Sequence, residues 1–455
     1  MTSDSTSASN TTQQVTVIAP INIALIKYWG KRDEDLVLPL NDSVSLNVDD
    51  LYAKTRIRTG ASIHEDSVAV NGRAVDLSKP NRFSSDGIYE VISEFVQSLK
   101  EVRRISRKRL MNDDGDTQEN PACFQKFEAS FPTVLLQATV VSETNFPVEA
   151  GLASSAAGFA AVAFALGHLY KLKNDEIIRI ARLGKWCWIV VGVETSLSGG
   201  MGGVGSKQDT MMTSCGFLGS GSACRSMLGG FVHWKAGTRV DGSDCCCEVV
   251  APAEHWSTLC AIIVVTSRDS KHTSSTDGMR RSVQTSQLLS FRAKEVVPGR
   301  VSRLLKAIAS KDFEQLATIT MSESNQLHAI CMDTMPPLKY MNGNSWRLVR
   351  LVEALNAHSG CKRVAYTFDA GPNCCLFVET HFVPTVFAAL LRYCHLPTAL
   401  FDKLGASSAG REWPQLRETA ENLQKNVTLN GVEPAENVVH DIFLSHVGGQ
   451  PTVVL

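Results

Sequence analysis

Residues 147–170 read PVEAGLASSAAGFAAVAFALGHLY, a Gly/Ser-rich turn running into a long stretch of small residues, and this run constrains fold and chemistry together. The pattern predicts a helix over 153–170. A helix opening on such a turn presents unpaired backbone N–H groups, a positive dipole end and small hydroxyls, here Ser154 and Ser155, all of which suit an anion. Gly151, Leu152, Ala153 and Ala156 complete that candidate loop. The Gly-Lys-Ser/Thr ending of a Walker A loop is missing, so the motif is not that one. The same small residues suit a helix packed closely on a neighbour, and the segment alone does not separate the two readings.

At 455 residues the chain is too long for one typical core, so two domains are expected. The expected division is a disordered polar tail over 1–14, a first domain over 15–255 and a second over 256–455. The tail is rich in Ser, Thr, Asn and Gln and lacks the apolar centre of a secretory signal. No segment offers the roughly 18 uninterrupted apolar residues of a membrane span, so a cytoplasmic protein without membrane contact is expected. The 45 basic and 46 acidic residues nearly cancel. That argues against a general nucleic-acid binder and leaves room for a local basic pocket around an anionic small molecule. The 13 cysteines include the adjacent Cys245, Cys246 and Cys247 and the pair Cys374 and Cys375, with no CxxC matched by a second at zinc spacing. Buried free thiols are expected, and no metal held by the protein.

Strands are expected at 15–19, closed by Pro20, and at 43–48, 52–58, 134–143, 259–265, 364–368 and 374–378. Asn71-Gly72 between 67–70 and 73–77 is a two-residue hairpin signal. Helices are expected over 82–108, over 175–183 behind an Asn174 cap and ahead of Gly184, and from about residue 282. Strands and helices intermix without regular βαβ alternation, so the expected class is α+β in two domains.

Four further motifs carry chemistry. Residues 19–33 (APINIALIKYWGKRD) place Lys27, Lys31 and Arg32 among two aromatics and a glycine, which suits an anionic substrate with a short carbon skeleton; a solvated basic turn fits equally. Residues 219–226 (GSGSACRS) surround Arg225 with small residues, a loop able to approach a ligand and offer a bidentate carboxylate clamp, or a plain linker. The hydroxyl-rich 267–279 follows a strand and suits phosphates without being specific to them; His272 in it reads as a surface residue. In 365–373 (AYTFDAGPN), Asp369 stands at a strand end held by a Gly-Pro turn, placed to take a hydroxyl proton or merely to form the turn.

Taken together and in order, Lys-Tyr-Trp-Gly-Lys-Arg-Asp (27–33), Gly-Leu-Ala-Ser-Ser-Ala-Ala-Gly (151–158), Ser-Gly-Ser-Ala-Cys-Arg-Ser (220–226) and Asp-Ala-Gly-Pro-Asn (369–373) closely resemble the mevalonate diphosphate decarboxylase family. The resemblance spans 15 to about 449 apart from one block, and that family belongs to the GHMP kinase superfamily. It implies a first domain like the second domain of ribosomal protein S5, a ferredoxin-like second domain, and a homodimer. It also implies ATP with Mg2+, phosphorylation of the tertiary alcohol of mevalonate 5-diphosphate, then loss of phosphate and CO2 to leave isopentenyl diphosphate. By resemblance, Asp369 takes or orients the 3-hydroxyl proton, and Arg225 binds the carboxylate with Ser222 and Ser220 in its loop. Asn22, Lys27, Tyr28 and Lys31 match the segment at the substrate's anionic groups. Ser154 and Ser155, with Gly151, Leu152, Ala153 and Ala156, match the ATP phosphate loop, and Ser274 or Ser275 touches a phosphate.

One block departs from the family. Where a helix like 177–184 should run straight into Ser220-Gly221-Ser222, the 35 residues 185–219 intervene, an apolar run followed by a Gly/Ser-rich tail without clear period. Gly184-Lys185-Trp186 can be encoded GGT AAG TGG, a donor-like string, and Phe217-Leu218-Gly219 can end in an acceptor-like CTAG. Removal stays in frame and restores one Gly codon, so the block is read as a retained intron, against a genuine loop insertion. Rival functions are a kinase of the same superfamily and a non-catalytic form disabled by the insert.

Overall fold

Pro20 does not close the first strand. The computed structural model describes residues 12–60, 62–74, 137–146, 154–183, 220–269, 271–404 and 413–454, and within them β1 (Gln13–Ile26) runs straight through that proline. A short hairpin, β2 (Lys31–Asp33) with β3 (Leu38–Pro39), turns the chain into the 17-residue β4 (Ser43–Thr59), which returns antiparallel along β1. The β1–β4 register shifts between Pro20 and Ile21, so a bulge absorbs the residue that cannot donate to the ladder. The segments expected as separate strands at 43–48 and 52–58 are therefore one strand. β1 also begins inside the stretch expected to be a tail.

β5 (Ser67–Val70) and β6 (Arg73–Ala74) form the expected hairpin, and β7 (Ala138–Thr144) lies between β4 and β5. Among the described residues, only the β5–β7 pairing in this sheet is parallel. β8 (Phe231–Trp234) pairs with the start of β4 and with β9 (Cys247–Ala251). A second, four-stranded antiparallel sheet joins β10 (Leu259–Val265), β11 (Val364–Phe368), β12 (Cys374–Glu379) and β13 (Asp441–His446) in the order β11-β12-β10-β13. The chain then comes back: β14 (Thr452–Val454) pairs with β1 on the edge of the first sheet.

The helix opening at Ser154 packs on the first sheet. This α1 (Ser154–Leu169) lies against β1 and β4, and its alanines 156, 157, 160, 161 and 165 are wholly buried. Small residues let its backbone come close to the sheet, which is the structural half of the reading offered for this segment. α2 (Asn174–Leu183) includes Asn174 in its first turn and is followed by the four-residue α3 (Ala223–Ser226). Past the first sheet come α4 (Ser275–Thr285), starting seven residues earlier than expected, α5 (Gln287–Phe291), α6 (Val297–Ser310) and the long α7 (Phe313–Asp333). α8 (Gly343–Ser359) and α9 (Val383–Tyr393) complete the second half with α10 (Thr398–Lys403) and α11 (Trp413–Gln424).

The run LCAIIVV of β10 carries no polar residue because both of its faces are buried. Leu259, Ala261, Ile263 and Val265 join the core shared with the first sheet, α1, α6 and α7. Cys260, Ile262 and Val264 face a second core under α8 and α9. One strand thus welds the two halves, and α7 lies along β11. Among the described residues no helix is long and apolar enough to cross a membrane. The expected helix over 82–108, the loop 147–153 and the block 185–219 lie outside the described residues.

The hairpin gives a direct test. Asn71 and Gly72 have φ of 47° and 77°, the paired left-handed conformation of a type I′ turn. A Cβ at Gly72 meets nothing within 4 Å, so only backbone strain opposes it. Gly72→Ala is expected to cost about 1 kcal/mol in urea unfolding, with an unchanged m-value.

Candidate active site

The site is built where β1 runs out. Ser43 Oγ donates to the Ile26 carbonyl at 2.6 Å, and the next residue, Lys27, has every polar group engaged. Its N–H donates to Glu323 Oε2 at 3.0 Å, and its carbonyl accepts from Arg292 at 2.9 Å and from Asn41 at 3.2 Å. Its ammonium, only 1% exposed, donates to Asp369 Oδ1 at 2.6 Å. The Asp369 side chain is 36% exposed, and Oδ2 makes no hydrogen bond among the described residues. A buried cation thus grips a carboxylate whose other oxygen is open to a ligand.

Behind this pair stands a buried ion cluster that the sequence did not announce. Glu323 on α7 accepts from Arg292 and Arg300, and both Glu323 and Arg292 are fully buried. Burial alone would raise the Glu323 carboxyl, but the Arg292 charge and the hydrogen bonds from Arg300, Arg292 and the Lys27 N–H hold it below the usual range. Arg292 begins a π-helical turn, Arg292–Val296, between α5 and α6. Its guanidinium also reaches Asn41 Oδ1 at 2.9 Å. No periodic pattern marks a charge at such a position, although the run 292–300 carries two arginines on a helical stretch.

Asp369 follows β11, and its turn is pinned on several sides. Gly371 N–H donates to the Asp369 carbonyl at 2.8 Å, and Asn373 Oδ1 accepts from the N–H groups of Thr266 at 2.7 Å and Ser267 at 3.2 Å. Thr266 and Ser345 hydroxyls donate to the Pro372 carbonyl at 2.8 and 2.7 Å. On the other side, Ser324 Oγ accepts the Phe368 N–H at 2.9 Å.

The second charged centre is Arg225, 4% exposed on α3. Its Nε donates to Asn22 Oδ1 at 3.0 Å, its Nη1 to Ser43 Oγ, and its guanidinium lies 5.9 Å from the Trp234 ring centroid. No carboxylate pairs with it among the described residues. Burial pulls its pKa down, opposed by Cys224, Cys247, Asp369 and Tyr28. Asn22 Nδ2 donates to the Ser222 carbonyl at 3.0 Å and to Ser226 Oγ at 2.7 Å, while Ser220 and Ser222 hydroxyls lie 3.1 Å apart. Tyr28 stacks edge-on to Trp234 at 4.8 Å, and its buried hydroxyl has no partner among the described residues. Burial, then Glu34, raises its pKa. A Cβ at Gly221 would lie 2.9 Å from that hydroxyl and 2.7 Å from Trp234, which is why the loop needs glycine there.

Asn22, Lys27, Tyr28, Ser220, Ser222, Arg225 and Asp369 are therefore brought together around the end of β1. Lys31 is placed differently: it is buried against Glu34 at 2.7 Å inside its own hairpin. Ser274 caps α4, its Oγ accepting the Asp277 N–H at 3.1 Å, and Ser275 is the first residue of that helix. α4 adjoins the site through Trp29, whose Nε1 donates to Ser282 Oγ at 3.0 Å. His272 is exposed. Ser155 and Ala156 open α1, whereas Gly151, Leu152 and Ala153 lie outside the described residues, as does the side chain of Ser154. The described cysteines are free, seven of ten buried, and no cluster among the described residues could hold a metal ion.

A further group near the pair escaped notice. His328 on α7 is half-buried, its ring edge-on to Phe368 at 6.3 Å, and its Nε2 has no partner among the described residues. Burial first, then the Lys27 charge, lowers its pKa from 6.5 to about 4.

Two outcomes follow. Glu323→Gln leaves Arg292 buried without its counter-ion and is expected to destabilise the fold by about 3–5 kcal/mol in chemical denaturation. Between pH 6.5 and 4 the unfolded chain takes up the His328 proton and the folded chain resists it. Stability from this group is complete above pH 6.5 and is lost as pH falls through 4, by up to about 3 kcal/mol. His328→Asn should lack that component, read as a flatter stability–pH curve than wild type.

Comparison with known proteins agrees on one family. Residues 261–454 match the family described as mevalonate 5-diphosphate decarboxylase C-terminal domain, and residues 19–185 and 204–247 match diphosphomevalonate decarboxylase-like N-terminal domain. The second match resumes inside the 185–219 block. The chain is 40% identical over 378 residues to diphosphomevalonate decarboxylase of Homo sapiens, covering 83% of this chain and 79% of that one. It resembles the structure of mevalonate diphosphate decarboxylase from Trypanosoma brucei with TM-score 0.73 and 31% identity, over 97% of this chain and 98% of that one. A structure described as MDDEF in complex with MVAPP, AMPPCP and magnesium shares the fold at TM-score 0.63 and 23% identity, over 98% and 99%. With a relative at 40% identity and family matches on both halves, the chain belongs to the diphosphomevalonate decarboxylase family.

Proposed function

We propose that the protein catalyses the ATP-dependent decarboxylation of mevalonate 5-diphosphate to isopentenyl diphosphate, releasing ADP, phosphate and CO2. The observation that carries the reading at the level of chemistry is the pairing of two unlike charge centres. One is an ammonium–carboxylate pair, Lys27–Asp369, and the other a buried guanidinium, Arg225, bonded among the described residues only to neutral groups. Asp369 accepts or orients the proton of the tertiary hydroxyl as it attacks the γ-phosphate, and Lys27 fixes the carboxylate and steadies the developing charge. Arg225 takes the substrate carboxylate, with Ser220, Ser222 and Asn22 shaping its approach and Tyr28 offering a free hydroxyl. When phosphate leaves with the C–O bonding pair, the C–C bond to the carboxylate breaks, CO2 departs, and that bond's electron pair forms the new double bond. A guanidinium holds that carboxylate without protonating it.

The reading places the ATP phosphates at the start of α1, with Ser154, Ser155 and 151–153, and at the Ser274–Ser275 end of α4. Lys31, engaged with Glu34, contributes to the substrate's anionic end only by exchanging that partner. The described residues offer Mg2+ no cluster of carboxylates. The ion therefore fits as the companion of ATP, held mainly by phosphates, where it supplies charge neutralisation. A homodimer in the cytoplasm completes the proposal, and residues 185–219 are proposed to be a retained intron.

The test is CO2 and phosphate release from mevalonate 5-diphosphate with Mg-ATP, for this chain and for one lacking 185–219. ADP without CO2 from both would replace the reading with that of a kinase, and activity only in the shortened chain would make the block an off-switch or an artefact. Asp369→Asn is expected to lower kcat by about 100-fold or more, whereas Arg225→Gln should lower CO2 release more than it weakens ATP binding.

A further inference from the structure

We propose that Cys224 and Cys247 are an oxidisable thiol pair, closed to a disulfide by a small hydroperoxide, and that the closed form switches off the Arg225 loop. The bond itself stands on geometry; its effect on turnover rests on the function proposed above. Cys224 lies in α3 immediately before Arg225 and is 1% exposed. Cys247 opens β9, across from Trp234 in the β8–β9 register, and is half-buried. Cys247 Sγ donates to Cys224 Sγ at 3.1 Å, and Cys224 Sγ donates to the Gly221 carbonyl at 2.9 Å. Bonded sulfur atoms lie about 2 Å apart, so closing the pair asks for a movement of about 1 Å. The adjacent cysteines are placed otherwise: Cys245 is buried and its Sγ accepts from Trp234 Nε1 at 3.3 Å, while Cys246 is exposed.

The surroundings choose which sulfur attacks. Arg182 on α2 donates to the Cys245 carbonyl at 3.2 Å, so two guanidiniums, Arg182 and Arg225, flank the pair. Burial raises the Cys224 thiol, yet the hydrogen bond from Cys247 and the charges of Arg182 and Arg225 hold it below the usual range. Burial raises Cys247 instead. Cys224 is therefore the nucleophile and Cys247 the resolving thiol, whose partial exposure marks the way in for a small uncharged oxidant. The Cys224 thiolate attacks one oxygen of hydrogen peroxide and the O–O bond breaks. This leaves a sulfenic acid and a hydroxide, which takes up the proton that Cys224 released. The Cys247 sulfur then attacks the sulfenic sulfur: the S–S bond forms, the S–O bond breaks, and hydroxide leaves as water with the Cys247 proton. Two thiols give up two electrons and two protons, and one peroxide becomes two waters.

A disulfide sulfur has no proton to donate, so closure strips the buried Gly221 carbonyl of its S–H partner. That turn carries Ser220, Ser222 and Arg225, and it has little slack. A Cβ at Gly221 would already lie 2.7 Å from Trp234 and 2.9 Å from the Tyr28 hydroxyl. Drawing Cys224 toward β9 shifts the residue that precedes Arg225, and a misplaced guanidinium costs turnover.

The experiment treats the full chain with hydrogen peroxide, blocks the remaining thiols by alkylation, and maps unreduced peptides by mass spectrometry. The expected product joins the Cys224 and Cys247 peptides and is lighter by two hydrogens than their sum. CO2 release should fall at least about tenfold as the link forms and return with dithiothreitol. Cys247→Ser is expected to keep the untreated kcat within about threefold and to form no link. Its loss under peroxide should not be restored by dithiothreitol, because a sulfenic acid with no resolving thiol goes on to the sulfinic acid. Absence of the link, a link made instead to Cys245 or Cys246, full activity in the linked protein, or dithiothreitol recovery in Cys247→Ser each overturns the proposal. The peptide map needs no turnover. An untreated chain that releases no CO2 therefore counts against the proposed function, and the map still decides the thiol pair.

Discussion

A lysine ammonium withdrawn from water at the seam between two sheets sets the terms for the structure around it. Leaving Lys27 uncompensated would be costly, so the chain supplies Asp369 from the second sheet at 2.6 Å. That contact joins residues 342 positions apart, and it forms only if β1 and β11 are held in register. α7 provides the register through Glu323 on one segment and Ser324 on the other. Glu323 in turn needs Arg292 and Arg300, and Arg292 reaches back to Asn41 and the Lys27 carbonyl. The polar network is closed at nearly every atom, which is what allows charge to sit inside an apolar core.

Arg225 obeys a different rule. Its partners Asn22 and Ser43 are neutral, so the charge is solvated by dipoles and left available. The surrounding residues are chosen for closeness: Gly221 permits Tyr28 and Trp234 to approach, and Trp234 presents its ring to the guanidinium. The fold thus holds one cation that is already answered and one that is not. An anionic ligand gains more from the second than from the first.

How much of this was legible depended on whether the signal was local. The strands at 259–265 and 364–368 were readable because a continuous apolar run between turn residues has few alternatives. Asn71-Gly72 was readable because its turn type demands those residues. Pro20 misled, since its cost to a ladder was absorbed by a bulge that no local pattern announces. In the site, Lys27, Arg225 and Asp369 were visible as motifs. Lys31 shared a motif with Lys27, yet Glu34 three residues on captured it. Arg292, Glu323 and His328 were invisible, because each lies in an ordinary helical stretch and acquires meaning only from a partner far along the chain.

The choice of arginine at 225 follows from the chemistry it faces. A carboxylate that must lose CO2 has to stay ionised while it is bound, and binding in a dry site favours transfer of a proton to it from any neighbour able to give one. Burial does lower Arg225. A guanidinium nevertheless starts so far above neutrality that it remains charged, whereas an ammonium in the same place would lose much of its charge to desolvation. Lysine is tolerable at 27 because Asp369 is there to compensate it. The two positions look alike as basic residues in a sequence. They are not exchangeable, because one cation must be answered by the protein and the other must wait for its ligand without giving up a proton.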